Sequence, residues 1–155
     1  MKYLLMRMEG GLLLVLNMNY ESICRYILID YICKREPFFI PAKSVFAACY
    51  MKKVEVVVSG LSIVNLLYIC RKCDLISLKA NLLGLSQYIE IVDLPSSFVI
   101  NGLKSGWSDY EDFLQNETAI SNQCDCIITR NSDDFSMSCL PVYNASDFML
   151  LLNNV

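Results

Sequence analysis

The 155-residue chain predicts an α/β domain built on a central parallel sheet. Three observations carry that expectation. Val54–Val58 is a short, mostly β-branched run, the pattern of a strand buried on both faces. Tyr88–Val92 and Cys126–Thr129 repeat it further along. Between these runs, apolar residues recur at helical spacing, as in Ile63, Val64, Leu67 and Cys70. Strands alternating with helices require a sheet covered on both faces, a three-layer α/β/α sandwich with right-handed crossovers.

The elements follow in order. Leu12–Leu16 is an apolar run suited to a buried strand. From Tyr20 to Lys34, Ile23, Ile27 and Tyr31 fall at helical spacing, and Tyr26, Ile29 and Cys33 widen that face. Pro37 interrupts the chain, and Pro41 suits the first turn of a second helix carrying Val45, Phe46 and Cys49. A third helix follows Gly60, and Leu78–Leu85 is a fourth. Pro95 opens a fifth, with Phe98, Val99 and Leu103 on one side. Asp109–Ser121 forms a sixth, capped by Ser108 or Asp109. Pro141–Tyr143 is a short last strand, and Ser146–Leu152 the closing helix. No internal repeat, linker or low-complexity tract interrupts the series.

Composition narrows the function classes. The chain is 55% hydrophobic and 19% charged, with a mean hydropathy of +0.41, which excludes disorder and supplies one large core. No apolar run approaches the roughly 18 residues of a membrane span. Lys2 and Arg7 precede the apolar Leu12–Leu16, but Glu9 interrupts them and no small-residue cleavage site follows, so the segment reads as non-secretory. Most of the eight cysteines sit inside apolar patterns, where a free thiol behaves as a small hydrophobe. A reduced, cytoplasmic protein is the expectation. The absence of histidine removes His-assisted nucleophiles and Cys/His metal sites, leaving carboxylate, lysine, thiol or a hard metal ion for catalysis. A net charge of -3 and a pI near 4.9 argue against a standing basic surface for nucleic acid. An acidic pocket that holds a cation is compatible with that charge.

Several motifs occur in order from Ile27 to Leu152. Ser108-Asp109-Tyr110-Glu111-Asp112 precedes Leu114-Gln115; Cys126-Ile127-Ile128-Thr129-Arg130-Asn131 precedes Asp133-Asp134-Phe135; Pro141-Val142 precedes Asp147-Phe148. Upstream lie Arg35-Glu36-Pro37-Phe38-Phe39, and Ser59-Gly60-Leu61-Ser62 with Asn65. In this ordered combination the chain resembles a bacterial branch of the PIN-domain family, with its "DFEDALQ", "IITRN..DF" and "REPFF" segments. The resemblance implies a metal-dependent endoribonuclease fold, magnesium or manganese as cofactor, and RNA as substrate. Many bacterial members are toxins, so it also implies an antitoxin partner or a homodimer. It places catalytic and metal-binding roles on Asp109, Asp112 and Asp134, supported by Asn65 and Asn131. The chemistry suits those residue types: hard cations take oxygen ligands, and two carboxylates three apart on a helix share a face. Asn65 and Asn131 stand where many PIN domains have acids.

Each of these residues also has a plain structural role open to it. Asp109 suits a helix N-cap, Asp112 a first turn favoured by the helix dipole, and Asp134 a turn. Trp107 suits core packing more than base stacking. Cys70-Arg71-Lys72-Cys73 and Cys124-Asp125-Cys126 together could make a zinc site, although the second spacing is wrong for a zinc knuckle and core packing is the default.

The amino-terminal segment, residues 1–26, departs from the resemblance, which divides the chain into that segment and a PIN-like domain over 27–155. The family's first strand ends in Asp-Thr-Asn, and its aspartate is the central metal ligand. Counting back from Ile27-Leu28-Ile29-Asp30 places Cys24-Arg25-Tyr26 there instead. Tyr20–Tyr26 can be encoded by TAT GAA AGT ATT TGT AGA TAC, and that string read one base later gives Met-Lys-Val-Phe-Val-Asp-Thr, the expected start. A deletion that threw this start out of frame is one reading. The other takes Leu13-Leu14-Val15-Leu16-Asn17-Met18-Asn19 as the first strand, with Asn17 in the aspartate's place. Both readings lose a charged ligand.

Overall fold

A computed structural model describes residues 2–7, 13–18 and 27–153. Two strands, β1 (Lys2–Arg7) and β2 (Leu13–Met18), come first. They are followed by α1 (Ile29–Ile32), α2 (Phe39–Tyr50), β3 (Val56–Ser59), α3 (Gly60–Ile69), α4 (Leu75–Leu85) and β4 (Ile89–Val92). Next come α5 (Ser96–Lys104), α6 (Tyr110–Ser121), β5 (Cys126–Ile128), a 3-10 turn (Ser132–Phe135), β6 (Val142–Tyr143) and α7 (Ala145–Asn153).

The strands form one sheet in the order β4-β3-β1-β2-β5-β6. Pairs β3–β4, β2–β5 and β5–β6 are parallel, as the alternation of strands and helices predicts. The sheet is nevertheless mixed, because β1 runs antiparallel to both β2 and β3. The reason for the β1–β2 pair is local: only five residues separate the two strands in sequence, too few for the crossover that a parallel pair needs. Strand β2, Leu13–Met18, lies within the Leu13–Asn19 segment of one reading of the first strand and pairs with β5, with Asn17 opposite Ile127. The competing segment Tyr20–Tyr26, and the first turns of the helix expected over Tyr20–Lys34, lie outside the described residues; the described part of that helix is α1.

Alternation along the strands divides the interior into two apolar clusters. Val56, Val58, Cys126 and Ile128 face one cluster, filled by Val45 and Phe46 of α2, Leu78 and Leu82 of α4, and Phe148 of α7. Val57 and Ile127 face the other, with Ala119 of α6, Cys124 and Phe135. Cys124 and Cys126 therefore point into different clusters, and the zinc site conceived across both thiol pairs does not form. Among the described residues no group of three or more His, Cys, Asp or Glu side chains is arranged to hold a metal ion. No helix among them is long and apolar enough to cross a membrane.

Helix boundaries move where caps override hydrophobic spacing. The fourth helix starts at Leu75 because the Asp74 carboxylate accepts from the Ile76 amide at 3.0 Å and from the Ser77 hydroxyl at 2.6 Å. The last helix starts at Ala145 because Asn144 accepts from the Asp147 amide at 2.8 Å. Gly102 on α5 is dictated by close approach: a Cβ there would lie 2.6 Å from the Tyr110 ring and 2.9 Å from the Phe113 ring of α6. Gly102→Ala should therefore cost about 1–3 kcal/mol of stability, read from chemical denaturation, because the buried Phe113 ring has no room to retreat. A wild-type midpoint for the variant would show that α5 and α6 do not pack this closely.

Asp125, at the start of β5, gives a second test. Burial raises its carboxyl from the ordinary 3.8 to about 6, and its Oδ2 is buried with no hydrogen-bond partner among the described residues. A folded-state pKa above the unfolded one favours the protonated fold. That contribution is complete below about pH 4 and is lost as pH rises through 6. Asp125→Asn should accordingly raise stability above pH 6 relative to wild type and leave it little changed below pH 4, as measured by thermal melts across that range.

Candidate functional site

The strand-to-helix turn at the end of β3 sets the first element of the site. Ser59 is fully buried, caps α3 by accepting from the Ser62 amide at 3.3 Å, and its hydroxyl meets the Ser62 hydroxyl at 2.8 Å. The Ser59-Gly60-Leu61-Ser62 motif is thus a cap that launches α3 from the carboxyl end of a parallel strand. Asn65, one turn in, donates from Nδ2 to Glu111 Oε1 at 2.8 Å. This bond joins the beginning of α3 to the beginning of α6.

The start of α6 is held from several sides. Asp109 is exposed, and its Oδ1 accepts from the Glu111 amide at 2.8 Å and the Asp112 amide at 3.0 Å. The N-cap role open to it in the sequence is the one it plays, and the first-turn acids Glu111 and Asp112 complement the helix dipole. Asp112 is buried, 4% exposed, on the inward face of the helix, followed on that face by the fully buried Gln115. Neither Gln115 Nε2 nor Oε1 finds a hydrogen-bond partner among the described residues. The Tyr110 hydroxyl donates to the Val99 carbonyl at 2.9 Å, tying α6 back to α5. Trp107 sits edge-on between Phe113 and Phe135, at centroid distances of 6.1 and 5.8 Å, so it is a packing residue.

The end of β5 supplies the third part. Thr129 is fully buried; its amide donates to the Tyr143 carbonyl at 2.7 Å, and its hydroxyl accepts from the Asn131 amide at 3.1 Å. Asn131 is exposed and precedes the 3-10 turn, in which the Asp134 amide donates to the Asn131 carbonyl at 3.3 Å. Asp134 is exposed on that turn, while its neighbour Phe135 is buried against Trp107. The structure thus joins Asn65 to α6 through Glu111 and stacks the Asp134 turn on the α6 start through Trp107. It does not gather Asp109, Asp112 and Asp134 into a group of cation ligands. Asn17 lies at the penultimate position of β2, beside β5. The interposed β1 separates β2 from β3 by one extra strand width, about 4.8 Å.

Sequence reasoning missed an ion pair at this edge. Asp30 is fully buried, and its Oδ2 lies 3.6 Å from Arg130 Nη1. The Arg130 guanidinium also stacks on Phe38 at 4.0 Å. Three segments quoted for the resemblance, the ones holding Asp30, Phe38 and Arg130, therefore meet in space. They border a cleft of about 360 Å³ that Asn144, Ser146 and Asp147 also line. The missed signal was an acid within a strongly apolar stretch, Ile27-Leu28-Ile29-Asp30-Tyr31, which demands a cation once that stretch is buried. Glu111, the partner of Asn65, was likewise passed over because it carried no distinct sequence signal beside Asp112.

Removing one partner of a buried pair strands the other charge. Arg130→Met should lower stability by about 3 kcal/mol in urea denaturation. Asp30→Asn added to it should recover a good part of the loss, since no uncompensated charge then remains. Additive losses in the double variant would show that the two side chains are not coupled.

The comparison with known families agrees with the motif reading. The sequence pattern of the family described as PIN domain matches residues 26–133, beginning where the amino-terminal segment of residues 1–26 gives way to the ordered motifs. The search of curated proteins found no match. The match spans more than half of the chain and takes in α3, the capped start of α6 and the strand-end Thr129-Arg130-Asn131, so this α/β chain belongs to the PIN-domain family.

Proposed function

We propose that this chain is a PIN-type endoribonuclease fold whose hydrolytic centre is impaired as the sequence stands. RNA is the substrate class, Asp109, Asp112 and Asp134 are the proposed acids, and Asn65, Asn131 and Asn17 support them. The observation that carries the impairment is the residue set around the expected centre. In the sequence reading that takes Leu13–Asn19 as the first strand, the neutral Asn17 stands in place of the family's aspartate, and the backbone of β2 pairs with β5. Asp109 Oδ1 is committed to two backbone amides. Magnesium or manganese needs several oxygen ligands converging on one point, magnesium at about 2.0–2.1 Å. Among the described residues, no group of three or more His, Cys, Asp or Glu side chains is arranged to hold such an ion.

The alternative is a catalytically inactive PIN-like protein retaining at most partner binding, and the absence of the family's Asp-Thr-Asn ahead of Ile27 favours it. An antitoxin protein or a second copy of the chain would be the partner. The reading includes a three-layer α/β/α arrangement, supported by the two apolar clusters that alternate strand residues face. It also includes a reduced cytoplasmic setting, supported by the free thiols in the core.

The test is cleavage of labelled single-stranded RNA with magnesium. The chain as written should be slower, by on the order of a hundredfold or more, than a variant carrying Met-Lys-Val-Phe-Val-Asp-Thr-Asn directly ahead of Ile27. Asp112→Asn in the repaired variant should abolish the gain. Robust magnesium-dependent cleavage by the unrepaired chain, lost on Asp112→Asn, would overturn the proposal.

A further inference from the structure

A cleft of about 630 Å³ lies between α2 and α4, a volume within the range of small-ligand sites. Phe39, Lys43, Phe46, Ala47 and Tyr50 recur at helical spacing, so one stripe of α2 forms a wall. Ala80, Asn81 and Gly84 of α4 line the facing side. Ala47, Ala80 and Gly84 are exposed and small, which leaves the space between the helices open. A Cβ at Gly84 would meet nothing within 4 Å, so no packing contact calls for a weak helix former at that position. The ends of the cleft differ in chemistry. Tyr50 and Tyr88, 63% and 47% exposed, meet edge-on at a centroid distance of 4.9 Å. Two turns back along α2, about 10 Å along the axis, Lys43 Nζ stands 5.9 Å from the centre of the Phe39 ring. Phe39 stacks on Tyr31 of α1, and Lys34 follows that helix into the lining. No Asp or Glu among the described residues lines the cleft, and neither lysine has an ion-pair partner among them. The net charge of -3 also hides an uneven distribution. Residues 34–79 hold eight Lys and Arg against three Asp and Glu, whereas residues 80–155 hold two against ten.

We propose that the α2–α4 cleft binds a nucleoside phosphate, with the base against Tyr50 and Tyr88 and the phosphate on Lys34 and Lys43. Two uncompensated ammonium groups select an anion, and the basic half of the chain steers one toward them. A lysine acts on phosphate as a point charge and needs no fixed geometry to do so. The rings of Tyr31, Phe39, Phe46, Tyr50 and Tyr88 ask for a flat apolar body on the same ligand. A nucleobase has one, and stacks on aromatic side chains whatever its sequence. The spacing of Lys43 and Tyr50 is one that a phosphate and its base can bridge. The Asn81 amide, which both donates and accepts, suits the N6 and N7 edge of adenine. The same unit occurs as a free mononucleotide and within single-stranded RNA, and the cleft recognises the chemistry the two share. None of Asp109, Asp112 and Asp134 lines the cleft, so binding there does not depend on hydrolysis by those acids.

The experiment titrates the full-length chain with adenosine 5′-monophosphate by calorimetry, in the presence of a chelator so that no RNA is cut. Saturable binding at one site is expected, weakened by added salt. Adenosine and inorganic phosphate, each lacking half of the recognised unit, should bind about tenfold more weakly or worse. Lys43→Gln should weaken the nucleotide by about the same factor and leave adenosine unchanged. Gly84→Leu should abolish binding while holding the thermal midpoint at or above that of the unaltered chain, since leucine is the better helix former and has room. The exposed Lys43 keeps the result readable if the Gly84 variant folds poorly. A short oligoadenylate that binds more tightly than the mononucleotide, and loses that binding in Gly84→Leu, would identify an RNA strand as the source; equal affinities would identify the free nucleotide. Absence of saturable nucleotide binding would overturn the proposal. So would binding that survives Gly84→Leu and falls with Asp112→Asn, which would place the nucleotide at the acids of the candidate site. Self-association that Gly84→Leu abolishes, without nucleotide binding, would make a second copy the occupant and overturn it as well.

Discussion

A carboxylate with no exposed surface is costly to bury unless a cation or hydrogen-bond donors lie beside it, and Arg130 lies beside Asp30. The pair does more than settle a charge. Asp30 belongs to α1, Arg130 follows β5, and Phe38 leads into α2, so one guanidinium ties the neighbouring α1 and α2 to the distant end of β5. The ion pair with Asp30 is one part of this contact, and the placement of the Arg130 guanidinium over the Phe38 ring, 4.0 Å from its centroid, is the other. Together they fix where the backbone leaves β5, and hence where Asn131 and the 3-10 turn begin.

The other anchor is the start of α6. Its cap, its bond to Asn65 and its tight seat against Gly102 hold the helix from the α3 side and the α5 side at once. Trp107 then carries that order to Phe135 and the turn bearing Asp134. The scaffold of the candidate site is therefore rigidly placed even though its carboxylates do not converge.

The strands Val56–Ser59, Ile89–Val92 and Cys126–Ile128 were legible because β-branched runs buried on both faces leave a composition signature. The helices were legible from apolar spacing, and their ends were not where an Asx cap such as Asp74 or Asn144 lay just outside the apolar stripe. The antiparallel β1 carried no signal of its own: an extended segment does not encode which neighbour it will pair with, or in which direction. Of the site, Asp109 was legible as a cap and Asn65 as a participant, but the Asp30–Arg130 pair was not. Its two halves are 100 positions apart, and only the fold brings them together.

The outer strands of the sheet bear on how copies of this protein can meet. One rim is β6, with two residues, and the other is β4, with four, where the exposed Glu90 stands beside the exposed Ile91. A foreign strand laid along either rim would gain few backbone hydrogen bonds, and on the β4 side it would have to accommodate a charge. Both features are ones by which soluble proteins discourage runaway growth of a sheet from molecule to molecule. Growth of the sheet from molecule to molecule along these two rims is thereby disfavoured.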